Sequence, residues 1–235
     1  MAKEAHHERV CTFLVAGDKT PASGNEIRAA LESSDDEAKV EAMEKAISAL
    51  LAGEQLPALF ITMVRYVLPS ENHTVQKLLL LYLETIQKHD AKGTLLPEMI
   101  LICQNLRNNL QHPNEYVRGV TLRFLTRLQE RELLEPLIPS VLSNLDHRHS
   151  YVRRYAVLAL ASIATRPFGE ADVPDAPELL EKVLDSEQDA GTRRNAFRAL
   201  AALSPQRASA FLFARADSAP AWPDSFATEA LALLR

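Results

Sequence analysis

Tyr116-Val117-Arg118-Gly119-Val120-Thr121-Leu122 returns thirty-five residues later as Tyr151-Val152-Arg153-Arg154-Tyr155-Ala156-Val157, and forty further on as Thr192-Arg193-Arg194-Asn195-Ala196-Phe197. Two fainter copies lie upstream, Val75-Gln76-Lys77-Leu78-Leu79-Leu80 and Ala38-Lys39-Val40-Glu41-Ala42-Met43. Aligned on Lys39, Gln76, Arg118, Arg153 and Arg193, the spacings are 37, 42, 35 and 40. Proline keeps the same beat: Pro57, Pro97, Pro139 and Pro177 each open an apolar stretch, at gaps of 40, 42 and 38. Proline fits a first helical turn because its missing N–H would have no partner there. Each unit therefore reads as a helix A opening near Pro, a polar turn, and a helix B opening near the basic residue. Turn residues such as Asn72, Asn114 and Ser150 can cap helix B by accepting from its free N–H groups. A period near forty with only helical signals inside it predicts an all-α solenoid of about five HEAT/armadillo-like helix pairs. In such a fold function lies in partner surfaces.

Composition bounds the reading. The chain has 235 residues, 47% of them hydrophobic, and its net charge of −5 weighs against nucleic acid as the main partner, since phosphate neutralisation drives that affinity. The longest apolar run, Leu78 to Leu83, falls far short of the ~20 residues a bilayer requires. Cys11 and Cys103 provide no disulfide framework, and the N-terminus is a poor signal peptide. These features together predict a cytoplasmic protein.

Residues 1–24 read as a partly flexible leader and linker, and 25–235 as the helical trunk. Helix pairs are expected at 56–68 and 74–88, 96–110 and 115–128, 133–145 and 151–164, and 177–184 and 190–203, with a break over 166–176. The final helix carries Leu231, Leu233 and Leu234, which are not the polar outer face that closes a solenoid. The expectation is a fragment of a longer stack.

The stretches LPALFITMVRYVLPSENHTVQKLLLLYLE (56–84), LQHPNEYVRGVTLRFL (110–125), DHRHSYVRR (146–154) and VPDAPELL (173–180) closely resemble the N-terminal trunk of the coatomer β-subunit family, a Golgi vesicle coat related to the β chains of clathrin adaptors. The match loosens from Ala199 onward. The resemblance implies a structural coat subunit that pairs with the δ subunit. It implies recruitment to Golgi membrane by the GTP form of an ADP-ribosylation-factor GTPase, and Golgi-to-endoplasmic-reticulum and intra-Golgi transport. Carried across from the clathrin adaptors on the HPNEYVR turn, the GTPase contact falls at Ile100 and Cys103. These lie one helical turn apart and could form one apolar patch; equally, both could be repeat core.

Arg118, Arg153 and Arg193 read as a structural ladder, each onto a turn carboxylate or a helix-end carbonyl of a neighbouring repeat. The alternative is an anion-binding edge built from Arg148, Arg153 and Arg154, since the planar guanidinium suits phosphate. His112, His147 and His149 lack the spacing of a zinc set, and His6-His7-Glu8 is a single dyad. Neither a Gly-rich phosphate loop nor a nucleophile elbow is present, so no catalytic residue, metal or cofactor is expected. The rival readings are a clathrin-adaptor β-like trunk, a nucleic-acid-binding HEAT protein, which would carry a basic face with interleaved aromatics, and a metal-dependent HEAT enzyme.

Overall fold

The computed structural model describes residues 23–54, 56–90 and 92–234, so most of the expected leader, with Cys11 and His6-His7-Glu8, lies outside the described residues. These residues are helical, apart from turns and one isolated bridge between His89 and Leu95. None of their helices is long and apolar enough to cross a membrane. The chain divides into two compact units, Met1–Thr85 and Ile86–Arg235.

The first unit holds α1 (Gly24–Glu32), α2 (Asp36–Leu51), α3 (Leu59–Thr62) and α4 (His73–Thr85). Gly24 belongs to α1 rather than to a linker. Ser23 and Glu26 form a reciprocal capping box that sets the helix start there. Gly53 ends α2 at φ 91°, a conformation that suits glycine alone among common residues. α3 continues into a π turn, Met63–Val67, whose wide pitch leaves carbonyls unpaired at its end. The Gln76 side-chain amide donates to the Val67, Leu68 and Ser70 carbonyls at 3.3, 3.1 and 2.7 Å. The core is Leu31, Met43, Ala46, Met63, Val67, Val75 and Leu79, with Tyr82 at 1% exposure.

The second unit begins with a 3₁₀ turn, Pro97–Ile100, that runs into α5 (Leu101–Leu110), followed by α6 (Glu115–Leu125). Next come α7 (Arg131–Leu134), α8 (Ile138–Ser143) and α9 (Ser150–Ala164). The expected break over 166–176 contains a single helical turn, α10 (Gly169–Asp172). α11 (Ala176–Ser186) and α12 (Ala190–Leu203) form the next pair, and α13 (Pro205–Phe213) and α14 (Asp224–Leu233) the last. The second helices form one layer, with α6 against α9, α9 against α12, and α12 against α14. In α9 the buried stripe is Val152, Ala156, Val157, Leu160 and Ile163, at helical spacing. Each large member contributes about 1.5–3 kcal/mol by burial.

α13 departs from expectation, since its alanine-rich sequence carries no strong start signal beyond Pro205. Phe211 on α13 and Phe226 on α14 hold it in place, packing on Phe197 of α12 with ring centroids 6.4 and 5.0 Å apart.

Candidate functional site

Each of α2, α4, α6, α9 and α12, the second helices that carry the repeating position, opens on a polar side chain four residues before it. Asp35 accepts from the Glu37 N–H, Asn72 from Thr74, Asn114 from Tyr116, and Asp189 from Thr192, at 2.8 to 3.0 Å. His149 does the same through Nδ1 at 3.3 Å, which requires that nitrogen to be unprotonated. The cap fixes where helix B starts, and so aims residue +4 back across the turn.

Arg118 uses that aim. Its guanidinium donates to the Gln111 and His112 carbonyls at 3.0 and 2.5 Å, where α5 ends, and to Asn144 Oδ1 at 3.0 Å. Asn144 is fully buried and its amide donates to the Leu110 and Ser140 carbonyls. Arg153 donates to the His147 and Arg148 carbonyls and grips both oxygens of Glu187 at 2.6 and 2.7 Å. Burial alone would raise the Glu187 carboxyl. The Arg153 guanidinium and the N–H groups of Asp189 and Gln188 outweigh it and hold the carboxyl below its ordinary range. Arg193 differs from both. It makes neither kind of contact and lies over the ring of Phe226 on α14, 5.5 Å from its centroid.

On the edge formed by Arg148, Arg153 and Arg154, the last two are therefore internally engaged. Arg154 pairs with both oxygens of Asp189 at 3.0 and 2.9 Å. A depression of about 250 Å³ opens between His147, Arg148, Arg153, Ser186 and Glu187. An anion entering it would have to displace Glu187 from Arg153, and only Arg148 extends fully into solvent. No three ligating side chains among the described residues converge as a metal set would.

Ile100 and Cys103 occupy different environments. Ile100 closes the 3₁₀ turn and is 61% exposed, with its neighbour Leu101 at 51%. The helix buries Met99, Ile102, Leu106 and Leu110 instead. Cys103 is half-buried, its Sγ 4.0 Å from the Leu133 carbonyl. Burial raises the thiol above its usual range, against a smaller opposing influence from Arg107, so it is a poor nucleophile. The exposed apolar pair at the head of α5 is Ile100 and Leu101.

Glu187 is the kind of turn carboxylate that the ladder reading expects for Arg153, 34 residues on. Asn144, 26 residues from Arg118, escapes a reading of repeats. Only its burial beside that arginine marks it.

Among family models, the one described as "Adaptin N terminal region" matches residues 20–216. Coatomer subunit beta-1 of Oryza sativa subsp. japonica is 60% identical over 97% of this chain and 24% of its own length. Coatomer subunit beta of Sus scrofa is 47% identical over 92% of this chain and 23% of its own length. The chain thus spans about a quarter of the length of these curated relatives. Among solved structures, an engineered protein aligns at TM-score 0.61 and 19% identity over 91% of this chain and 97% of that one. A designed armadillo repeat protein aligns at TM-score 0.54 and 19% identity, covering 92% and 98%. These likenesses agree with the helix pairs in showing an all-α armadillo/HEAT-type repeat fold. With its family model matched across residues 20–216, the chain belongs to the adaptin N-terminal region family.

Proposed function

We propose that this chain is a scaffold segment of a coatomer-type vesicle coat, acting in Golgi-to-endoplasmic-reticulum and intra-Golgi transport. On this reading it works from the cytoplasm, peripheral to Golgi membrane, and binds the δ and other coat subunits. Catalysis enters only through a GTPase partner. The similarity to coatomer β subunits supports the reading. We further propose that the ADP-ribosylation-factor GTPase, in its GTP form, meets the head of α5.

The observation that carries the contact is the exposure of Ile100 on a helix whose other large apolar side chains are buried, apart from adjacent Leu101. A solvent-facing aliphatic pair at a helix start offers what a GTPase switch region buries, and Cys103 adds a half-buried rim one turn on. Because Ile100 is exposed, Ile100→Asp removes apolar contact area without opening the core. In a pull-down with GTPase loaded with a non-hydrolysable GTP analogue or with GDP, the wild-type chain captures the GTP form selectively. Ile100→Asp loses that capture at unchanged helicity. Capture of both forms alike, or full capture by the variant, would overturn the contact.

A further inference from the structure

The outer face of the α6–α9–α12 layer has a chemical character that the net charge of the chain hides. Register aligns Arg123, Leu158 and Arg198 in one row across the three helices, and Gly119, Arg154 and Arg194 in the row beside it. Arg123, Arg194 and Arg198 are exposed, and none of them forms an ion pair with a carboxylate among the described residues. Arg194 reaches only the neighbouring Asn195 Oδ1. Between the flanking arginines lies an aromatic strip. Tyr151 packs on Tyr116 at 5.5 Å and on Tyr155 at 5.0 Å, and Tyr116 and Leu158 are 62% and 36% exposed. Of the acids at the rim, Asp189 holds Arg154 and the Thr192 N–H and hydroxyl, while Glu115 stands 4.0 Å from His149 Nε2, beyond hydrogen-bond reach.

We infer that this face binds a short extended acidic peptide, with an aromatic or aliphatic anchor seated on Tyr151, Tyr155 and Leu158 and carboxylates on either side meeting Arg123 and the Arg194–Arg198 pair. Charge complementarity selects the occupant. Exposed guanidiniums lacking partners form bidentate pairs with carboxylates, and a tyrosine strip between them supplies apolar area at low entropic cost. Dimensions agree. Neighbouring helices pack about 8–10 Å apart, so three axes span about 20 Å. An extended chain covers that distance in about six residues. The carboxylates should therefore stand about three residues from the anchor on each side. The inference is independent of the GTPase contact at Ile100, which lies on α5.

The test uses the whole chain and a fluorescein-labelled peptide, Asp-Glu-Ser-Leu-Ser-Glu-Asp, followed by anisotropy at several salt concentrations. Binding that weakens with salt is expected. An Asn/Gln twin of the peptide should lose it, and Arg194→Glu combined with Arg198→Glu should lose at least tenfold. Arg65→Glu, a single charge reversal of the same kind in the first unit, should leave it unaltered. Since all three arginines are exposed, helicity should persist, and circular dichroism checks this. Binding that is indifferent to the Arg194 and Arg198 changes, or no binding by the folded wild type, would overturn the inference. Displacement of the peptide by single-stranded RNA or by phosphatidylserine vesicles at lower concentration than by unlabelled peptide would also overturn it, by assigning the face to a polyanion.

Discussion

Gly119 shows how tightly two helices of this stack are fitted. A Cβ built there would stand 2.0 Å from Tyr151 Cε1, and Tyr151 cannot swing away freely because Tyr116 and Tyr155 hold its ring on both sides. One interface later the sizes exchange places. Gly191 occupies the tyrosine position, and the Arg154 guanidinium fills the space above it, 3.2 Å from where a Cβ would lie. Mid-helix alanine would normally gain about 1 kcal/mol over glycine. At position 119 overpacking, at about 1–3 kcal/mol, should dominate. Gly119→Ala is therefore expected to destabilise the protein in urea denaturation. Paired with Tyr151→Leu, the same change should become neutral or stabilising. Equal cost in both backgrounds would show that the ring is not the obstacle.

Among the elements, the helix starts were the most legible part of the sequence. Asn72 and Asn114 could be read as caps from their turns, and both cap their helices, whereas Ser150, read the same way, is passed over for His149 one residue earlier, and Asp189 was not read as a cap. The arginine ladder was half legible. Arg153 meets Glu187, a turn carboxylate of the next repeat as the ladder reading expects, whereas Arg118 meets the amide of Asn144, and both also reach carbonyls of their own turns. Arg193 breaks the pattern: it lies against Phe226, which α14 brings in from outside its own helix pair. α13 was illegible for the same reason: contacts from Phe211 and Phe226, rather than propensity, fix it on Phe197. At the candidate contact surface the spacing put Ile100 and Cys103 one turn apart, but only the coordinates separate an exposed Ile100 from a half-buried Cys103. Asp189 permits a dissection of one helix start. It caps α12 through the Thr192 N–H and pairs with Arg154, whose side chain is 41% exposed. Losing an N-cap costs about 0.5–2 kcal/mol, whereas a part-exposed ion pair contributes about 0–1. Asp189→Ala should thus cost clearly more than Asp189→Asn, which keeps an acceptor oxygen. Equal losses in thermal melts would assign the stability to the ion pair.

Over the molecule as a whole, contacts in a helical stack run only between neighbours, so stability is local. Acid should expose this within the second unit, because its depressed carboxyls cluster around α11 and the turn into α12. The Glu181 carboxyl is lowered chiefly by its hydrogen bonds to Arg207. For Glu187 and Asp189 burial pushes upward, and hydrogen bonds to Arg153 in one case and to Thr192 and Arg154 in the other push further down. The ordinary values are 4.5 for Glu and 3.8 for Asp. A carboxyl depressed by folding is charged in the folded chain at pH values where the unfolded chain already binds a proton. Its contribution is complete above the unfolded value and is lost as pH falls through the folded one. The softening window therefore opens near the ordinary values and extends below them. At α5 and α6 the partners of Arg118 are Asn144 and main-chain carbonyls, with no carboxylate among them. Amide hydrogen-exchange protection factors, compared between about pH 6 and about pH 3.5, should fall more in α11 and the start of α12 than in α5 and α6. In Glu187→Gln, protection around α11 should be lower already at the higher pH and should fall less on acidification. A uniform fall across all four helices would mean that the second unit melts as one block, and that the carboxyl cluster does not set its acid response.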